Sequence, residues 1–252
     1  MNITPFRDHF SDQAKAYLEF RPAYPGSLYE YLASMAPSHQ LAWDCATGNG
    51  QCAHGLSSYF QHIIASDASA KQIEHAKPCS NIEYRVLAAE HTDIMPQSVD
   101  LITVAQALHW FDIPTFFKEA QRVLKNRGII SVCTYSLIKV DDEINQIIHY
   151  LYHDLLANYW PAERKIVENA YRDIDFPFAQ IEHRVFEMAE HWSLSELLGY
   201  LGTWSAVQAY RYSLKTDPLV DIRDNLIMAW GDVDQKKTVN WPLSLMTGRY
   251  VI

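Results

Sequence analysis

The chain runs to 252 residues, 48% of them hydrophobic, enough for one large domain with room for an insertion. Its formal net charge of −9, with no run of Lys and Arg to form a basic patch, argues against a nucleic-acid partner. No uncharged stretch approaches the ~20 residues that span a bilayer. The N-terminal stretch is charged and lacks the apolar centre of a secretory signal, so the sequence predicts a soluble cytoplasmic protein, monomer or homodimer, with no membrane contact. Cys45, Cys52, Cys79 and Cys133 form no C-x-x-C pair and no zinc-like spacing. They read as free thiols in a reducing compartment, and no metal is expected.

In chain order, a polar, aromatic stretch comes first and ends at Pro22 and Pro25. It reads as a lid over residues 1–24, or as a plain helix break set by the prolines. "PGSLYEYLASM" predicts a helix opened by a capping box, Ser27 and Glu30. "LAWDCA" is a buried strand, "CAHGLSSYF" a short helix and "HIIASD" a second strand. "SAKQIEHA" opens a helix with a second box, Ser69 and Gln72. "IEYRVLAA" and "SVDLITVAQAL" hold strands three and four. "DIPTFFKEAQRVL" is a helix with Pro114 in its first turn and Phe117, Ala120, Val123 and Leu124 on one face. "GIISVCTY" is a fifth strand.

Short apolar strands alternating with helices predict an α/β fold over residues 25–135, a parallel sheet covered on both faces. After Tyr135 the pattern changes. "DDEINQIIHYLYHDLLANYW" predicts one amphipathic helix ended by Pro161, and "IEHRVFEMAEHW" a strand near 182–191. "SLSELLGYLGTWSAVQAY" and "DPLVDIRDNLIMAW" predict a helix each, and "TVNWPLSLMTGRYV" a last strand near 238–251. Two final strands complete a Rossmann-like seven-stranded, mostly parallel sheet, the last strand antiparallel. The surplus at 136–180 and 192–232 is too long for plain connections and reads as a helical cap within a single 1–252 domain. Its Tyr150, Tyr152, Tyr159, Trp160, Trp192, Tyr200 and Trp204 belong mainly to the core, with a few left to line a cavity.

Ligands of such sheets bind beyond the carboxyl ends of the strands, where "WDCATGNGQCA" places a turn. A P-loop needs Gly-Lys-Ser/Thr, which is absent. A dinucleotide fingerprint needs G-x-G-x-x-G, and Ala46, Gly48 and Gln51 stand there without the third glycine. The third reading, D-x-G-x-G-x-G, fits Asp44, Ala46, Gly48 and Gly50 with one Gly-to-Ala departure, and suits S-adenosylmethionine. That molecule brings an amino-acid end, a sulfonium and a ribose but no pyrophosphate, so the backbone must approach closely and side chains must be absent. An acid about 20 residues on grips ribose hydroxyls in nucleotide folds. Asp67 stands at that place, or else caps the helix that begins near Ser69.

With "FSDQAKAYLEFRPAYP", "IIASDAS", "VDLITVAQALHWFD", "RVLKNRGIISV", "YLGTWSAVQAY" and "WPLSLMTGR", the chain resembles a class I S-adenosylmethionine-dependent methyltransferase of the trans-aconitate methyltransferase-like branch. The resemblance implies S-adenosylmethionine as cofactor. It implies that Asp44, Ala46, Thr47, Gly48, Asn49 and Gly50 line the methionyl end, that Asp67 binds the ribose and that Ala68 lies beside the adenine. Ala89 and Glu90 resemble the family's adenine-edge turn, although Ala88 is apolar where many members carry an acid. Gln106 would lie under the sulfonium, and Arg21 would reach the methionyl carboxylate or a substrate acid, with Tyr17, Tyr24 and Trp110 beside the substrate.

Methyl transfer from a sulfonium is an in-line displacement that needs alignment and exclusion of water. A carboxylate acceptor is ionised at pH 7 and needs no base. A phenol, alcohol or acidic carbon would need one, for which His109 in "ALHWF" is the candidate, its alternative role being structural. The expected function is therefore methylation of a small molecule, with a carboxylic acid favoured as acceptor. The alternatives are a base-assisted acceptor and a non-catalytic cofactor-binding protein.

Overall fold

The computed structural model describes residues 22–252. Tyr17, Arg21 and nearly all of the expected lid lie outside the described residues. Helix α1 (Gly26–Met35) leads to β1 (Leu41–Cys45), α2 (Gln51–Leu56), β2 (His62–Asp67), α3 (Ala70–Glu74) and β3 (Ile82–Val86). Next come β4 (Val99–Ala105), a 3-10 turn at Leu108–Trp110, α4 (Ile113–Val123) and β5 (Leu124–Tyr135). The remainder is α5 (Asp142–Tyr150), α6 (Arg164–Glu168), β6 (Ala179–Trp192), α7 (Leu194–Gly202), α8 (Ser205–Leu214), α9 (Pro218–Trp230) and β7 (Lys237–Arg249).

The strands form one sheet in the order β3-β2-β1-β4-β5-β7-β6. Every pair is parallel except those of β7, which runs antiparallel to both β5 and β6. This is the Rossmann-like architecture expected from the sequence. Successive strand residues point to opposite faces and so feed two cores. Ala42, Ile63, Leu101 and Leu243 pack with α1, α2, α5 and α7–α9. Trp43, Ile64, Ile102 and Val132 pack with Phe116, Phe117 and Val123 of α4. An isolated helix of eleven residues is marginal in water, and burial at roughly 1.5–3 kcal/mol per large side chain is what holds α4.

The chain order of β1 and its neighbours sets where a ligand can sit. β2 lies on one side of β1 and β4 on the other, so the connections leave β1 in opposite directions and open a crevice at its carboxyl end. Below that crevice, the buried Asp100 holds the other ends of the strands. It accepts from the backbone N–H of Gln40 and Leu41, both at 3.0 Å, from Ser38 Oγ at 2.7 Å and from Lys125 Nζ at 2.8 Å.

Several local expectations are corrected. Pro25, not a serine, stands at the N-cap of α1, and its extended backbone sets the helix start without a side-chain cap, so the Ser27–Glu30 box does not form. A reciprocal capping box does form at Ser193 and Glu196, opening α7. The long helix predicted after Asp141 stops being α-helical at Tyr150. Residues Leu151–Leu155 widen to a π turn, with Leu156 N–H donating to the Leu151 carbonyl at 3.0 Å. "SLSELLGYLGTWSAVQAY" is two helices, broken at Thr203 and Trp204, where Thr203 Oγ1 donates back to the Tyr200 carbonyl at 2.7 Å. No helix among the described residues is long and apolar enough to cross a membrane.

Candidate active site

The turn after β1 is built on Asp44, which is buried. Its Oδ2 accepts from Thr47 Oγ1 at 2.5 Å and from Ala53 N–H at 3.0 Å, and its Oδ1 from Thr103 Oγ1 at 2.7 Å. One carboxylate thus ties the turn to α2 and to β4. Burial pushes its pKa up, against the hydrogen bonds that stabilise its charge. Ala46, Gly48 and Gly50 all adopt left-handed backbone, with φ of 54°, 58° and 89°. For Ala46 that conformation costs roughly 1–2 kcal/mol, offset by the bonds that close the turn: Thr47 N–H to the Ser66 carbonyl at 2.9 Å and Gly50 N–H to the Thr47 carbonyl at 3.0 Å.

The two glycines have different reasons to lack a side chain. A Cβ on Gly50 would strike the Tyr84 ring, so internal packing requires glycine there. A Cβ on Gly48 would find only Gln72 Oε1, 3.9 Å away. Gly48 therefore leaves a cradle open on the crevice side. Asp67 lies next to it: its Oδ2 accepts from Gly48 N–H at 2.9 Å and its Oδ1 from Ser69 N–H at 2.8 Å. Ser69 in turn caps α3, its Oγ accepting from Gln72 N–H at 3.4 Å. Asp67 thus steadies both the turn and the approach to α3. Asn49 is half-buried, and Ala68 is exposed beside the acid.

The far wall comes from the loops after β3 and β4. Ala88 and His91 form an isolated bridge around Ala89, which is buried, and Glu90, whose Oε1 accepts from Asp112 N–H at 3.0 Å. The loop behind is fixed by Glu119, which accepts from Thr92 N–H and Oγ1 and from a two-pronged Arg122. Gln106 leaves β4 with φ 57°. Its Oε1 accepts from Thr134 Oγ1 and from Tyr135 N–H at 3.1 Å, joining the ends of β4 and β5.

His109 sits on the 3-10 turn beside Trp110, ring centroids 4.7 Å apart. Its Nδ1 meets the Tyr171 hydroxyl at 2.9 Å, and the two rings stack at 6.2 Å and 28°. Burial, helped by the charge of Arg164, pushes the imidazole pKa down to about 3. The ring is therefore neutral at ordinary pH, with only Nε2 left for a ligand. Tyr171 follows Ala170, and both hold left-handed φ, 61° and 52°. That uncommon pair turns the buried phenol back toward His109.

The structure brings together Asp44, Ala46, Thr47, Gly48, Asn49, Gly50 and Asp67 on one side of the crevice. Ala89, Glu90, Gln106, His109 and Trp110 come from the neighbouring loops. Tyr24 is half-buried against the core. The chain enters beside the turn, the Pro22 carbonyl accepting from Gln51 Nε2 at 2.9 Å. Tyr171, Thr134 and Arg164 went unread in the sequence, since no spacing links them to "ALHWF" and only backbone conformation brings them there. Among the described residues no group of three or more His, Cys, Asp or Glu side chains could hold a metal ion.

Residues 43–132 match the family model described as a methyltransferase domain. A candidate methyltransferase of Dictyostelium discoideum is 34% identical over 98% of this chain and 96% of its own. A solved structure of a candidate type II methyltransferase from Anaeromyxobacter dehalogenans superimposes with a TM-score of 0.87 at 41% identity, covering 92% of this chain and 99% of that one. Phosphoethanolamine N-methyltransferase 2 of Haemonchus contortus, solved with S-adenosylmethionine, shares the fold at 16% identity and a TM-score of 0.52, over 100% of this chain and 61% of that one. With a Rossmann-like sheet and an open glycine turn at its switch point, the chain belongs to the class I S-adenosylmethionine-dependent methyltransferases. It is an enzyme of that family, and S-adenosylmethionine is its cofactor.

Proposed function

We propose that this enzyme transfers a methyl group to the carboxylate of a small organic acid, giving a methyl ester. The observation that carries the reading is the state of His109. An imidazole held near pKa 3, with Nδ1 already on Tyr171, is a poor acceptor for the proton of an alcohol or phenol. An acceptor that is already ionised asks for no such base. The resemblance to the trans-aconitate methyltransferase-like branch points the same way.

S-adenosylmethionine supplies a methyl group on a positively charged sulfur. The open backbone of Ala46, Thr47, Gly48, Asn49 and Gly50 would admit its methionyl part. Asp67 would take the ribose hydroxyls, and Ala68, Ala89 and Glu90 would border the adenine. Gln106, fixed by Thr134 and Tyr135, would hold the floor beneath the sulfonium. His109 and Trp110 would bound the acceptor, with the neutral imidazole placing it in line and keeping water out. The helices at 136–180 and 192–232 would cap the cavity, and the segment through Tyr17, Arg21 and Tyr24 would close it. The unpaired thiols suit a cytoplasmic setting.

Incubation with methyl-labelled cofactor and a panel of carboxylic acids, phenols and quinone precursors tests the proposal. The expected product releases its label as methanol under mild alkali, as an ester does. A base-stable product would mean methylation of another atom. Cofactor binding with no labelled product from any acceptor would favour a non-catalytic role.

A further inference from the structure

The arginines of the described residues differ in how their donors are used. Arg122 divides its donors among Glu119, Thr92 and the Ile94 carbonyl. Arg85 engages Glu83 and Asp93, and Arg211 engages Asp217 and the Gly202 carbonyl. Arg164, the first residue of α6, is half-buried and follows another pattern. Its Nε donates to the Tyr152 hydroxyl at 2.5 Å, and that hydroxyl donates to Glu168 Oε1 at 2.6 Å. Its Cζ lies 5.2 Å from the Tyr152 ring centroid and 4.8 Å from that of Trp160. Trp160 is itself fixed, its Nε1 donating to the Tyr152 carbonyl at 3.0 Å. Neither terminal nitrogen of Arg164 has a hydrogen bond or an ion pair among the described residues.

The guanidinium is thus clamped by its inner nitrogen and two aromatic faces while its outer edge is unspent. The ring contacts stabilise the cation and stiffen the side chain, reducing the ordering cost of a ligand. An unspent outer edge in a planar group presents two parallel N–H donors, the geometry that meets a carboxylate bidentately. Helix α6, which Arg164 opens, packs against the 3-10 turn that carries His109 and Trp110, on the acceptor side of the site.

We infer that Arg164 is the anchor for a carboxylate of the methyl acceptor, held by Tyr152 and Trp160 so that its terminal nitrogens face the ligand. The inference rests on the reading of this enzyme as a carboxylic-acid methyltransferase and adds the residue that would select such acids. An acceptor with two acid groups would place one on Arg164 and offer the other to the methyl group.

Calorimetry on protein saturated with S-adenosylhomocysteine tests this, with a panel of mono-, di- and tricarboxylic acids and matched phosphomonoesters as probes. Wild-type protein should bind at least one carboxylic acid, and Arg164→Gln should weaken that acid roughly 10- to 150-fold. Arg164→Lys, which keeps the charge without the fork, should fall between. S-adenosylhomocysteine affinity should stay within about twofold in every variant. Equal acid binding by Arg164→Gln, no acid bound by the wild type, or preference for phosphomonoesters would each overturn the assignment. If wild-type protein fails to bind S-adenosylhomocysteine, the failure lies with the cofactor reading beneath it. A second measurement reads the position of Arg164 without an acid. In a folded Arg164→Gln protein, NMR titration should move His109 upward from about 3, and an unmoved His109 would place Arg164 outside the site.

Discussion

Gly48 and Gly50 share a left-handed backbone but differ in what surrounds them, and substitution should separate them. Gly48→Val forces a β-branched residue into positive φ and puts its methyls in the crevice, so S-adenosylhomocysteine binding should be lost in a folded protein. Gly50→Ala should instead lower stability, because its Cβ meets Tyr84. Normal cofactor binding by Gly48→Val, measured by calorimetry, would make the turn purely structural. Asp67→Ala removes a charged acceptor from the Gly48 and Ser69 amides as well as from the cofactor. Affinity should fall roughly 10- to 150-fold, for hydrogen bonds to charge worth about 1.5–3 kcal/mol. His109 gives a pH signature. It takes its proton near 3 when folded against 6.5 ordinarily, so between those values the unfolded chain binds more protons. Its contribution to stability is whole above 6.5 and is lost as pH falls toward 3. His109→Gln should flatten that part of the stability–pH curve in urea titrations, and an unchanged slope would put the imidazole in solvent.

Elements were legible in the sequence where one strong local signal set them. Asp112 at the head of α4, with Pro114 behind it, marks a helix start that the structure keeps, the carboxylate accepting from Thr115 N–H at 3.3 Å. Ser27 failed as a cap because Pro25 had already fixed the backbone two residues earlier. The true box, Ser193 and Glu196, stands at the head of "SLSELLGYLGTWSAVQAY", where the cap went unread in the sequence. Ser193→Ala should therefore cost about 1 kcal/mol, while Ser27→Ala, exposed and not capping, should cost little. Equal costs in chemical denaturation would contradict the assignment of the caps. The π turn at Leu151 and the break at Thr203 follow from tertiary packing, which an amphipathic pattern does not encode. Tyr171 and Arg164 were illegible for a related reason. Tyr171 depends on left-handed backbone after α6 and on His109, far away in the chain, and Arg164 on Tyr152 and Trp160 across a stretch that leaves the α-helical path.

At the scale of the whole molecule, the seven-stranded, mostly parallel sheet and the family were readable from alternating strands, the turn and the spacing of its acids. The architecture of the acceptor side was not, because it joins the turn at Leu108–Trp110 to residues between Tyr152 and Tyr171 with no spacing that links them. A ligand that binds only the folded state stabilises it by mass action, about 2.7 kcal/mol at a hundred times Kd. For a chain of this size S-adenosylhomocysteine should thus raise Tm by about 5–10 °C. NAD at the same concentration should leave Tm unchanged, and a shift with NAD would reopen the dinucleotide reading. The position of β7 carries a consequence for biosynthesis. β5 and β6 do not touch each other as neighbours, since both are hydrogen-bonded to β7, which follows them in the chain. During translation at ~5–20 residues per second, β6 emerges with its pairing partner still unmade, so its inner backbone edge and the side chains of Met188 and Trp192, buried in the finished fold, are left uncovered. A ribosome-stalled chain ending before Lys237 should accordingly be open to protease at β6 and become resistant only when the stretch through Arg249 has left the exit tunnel.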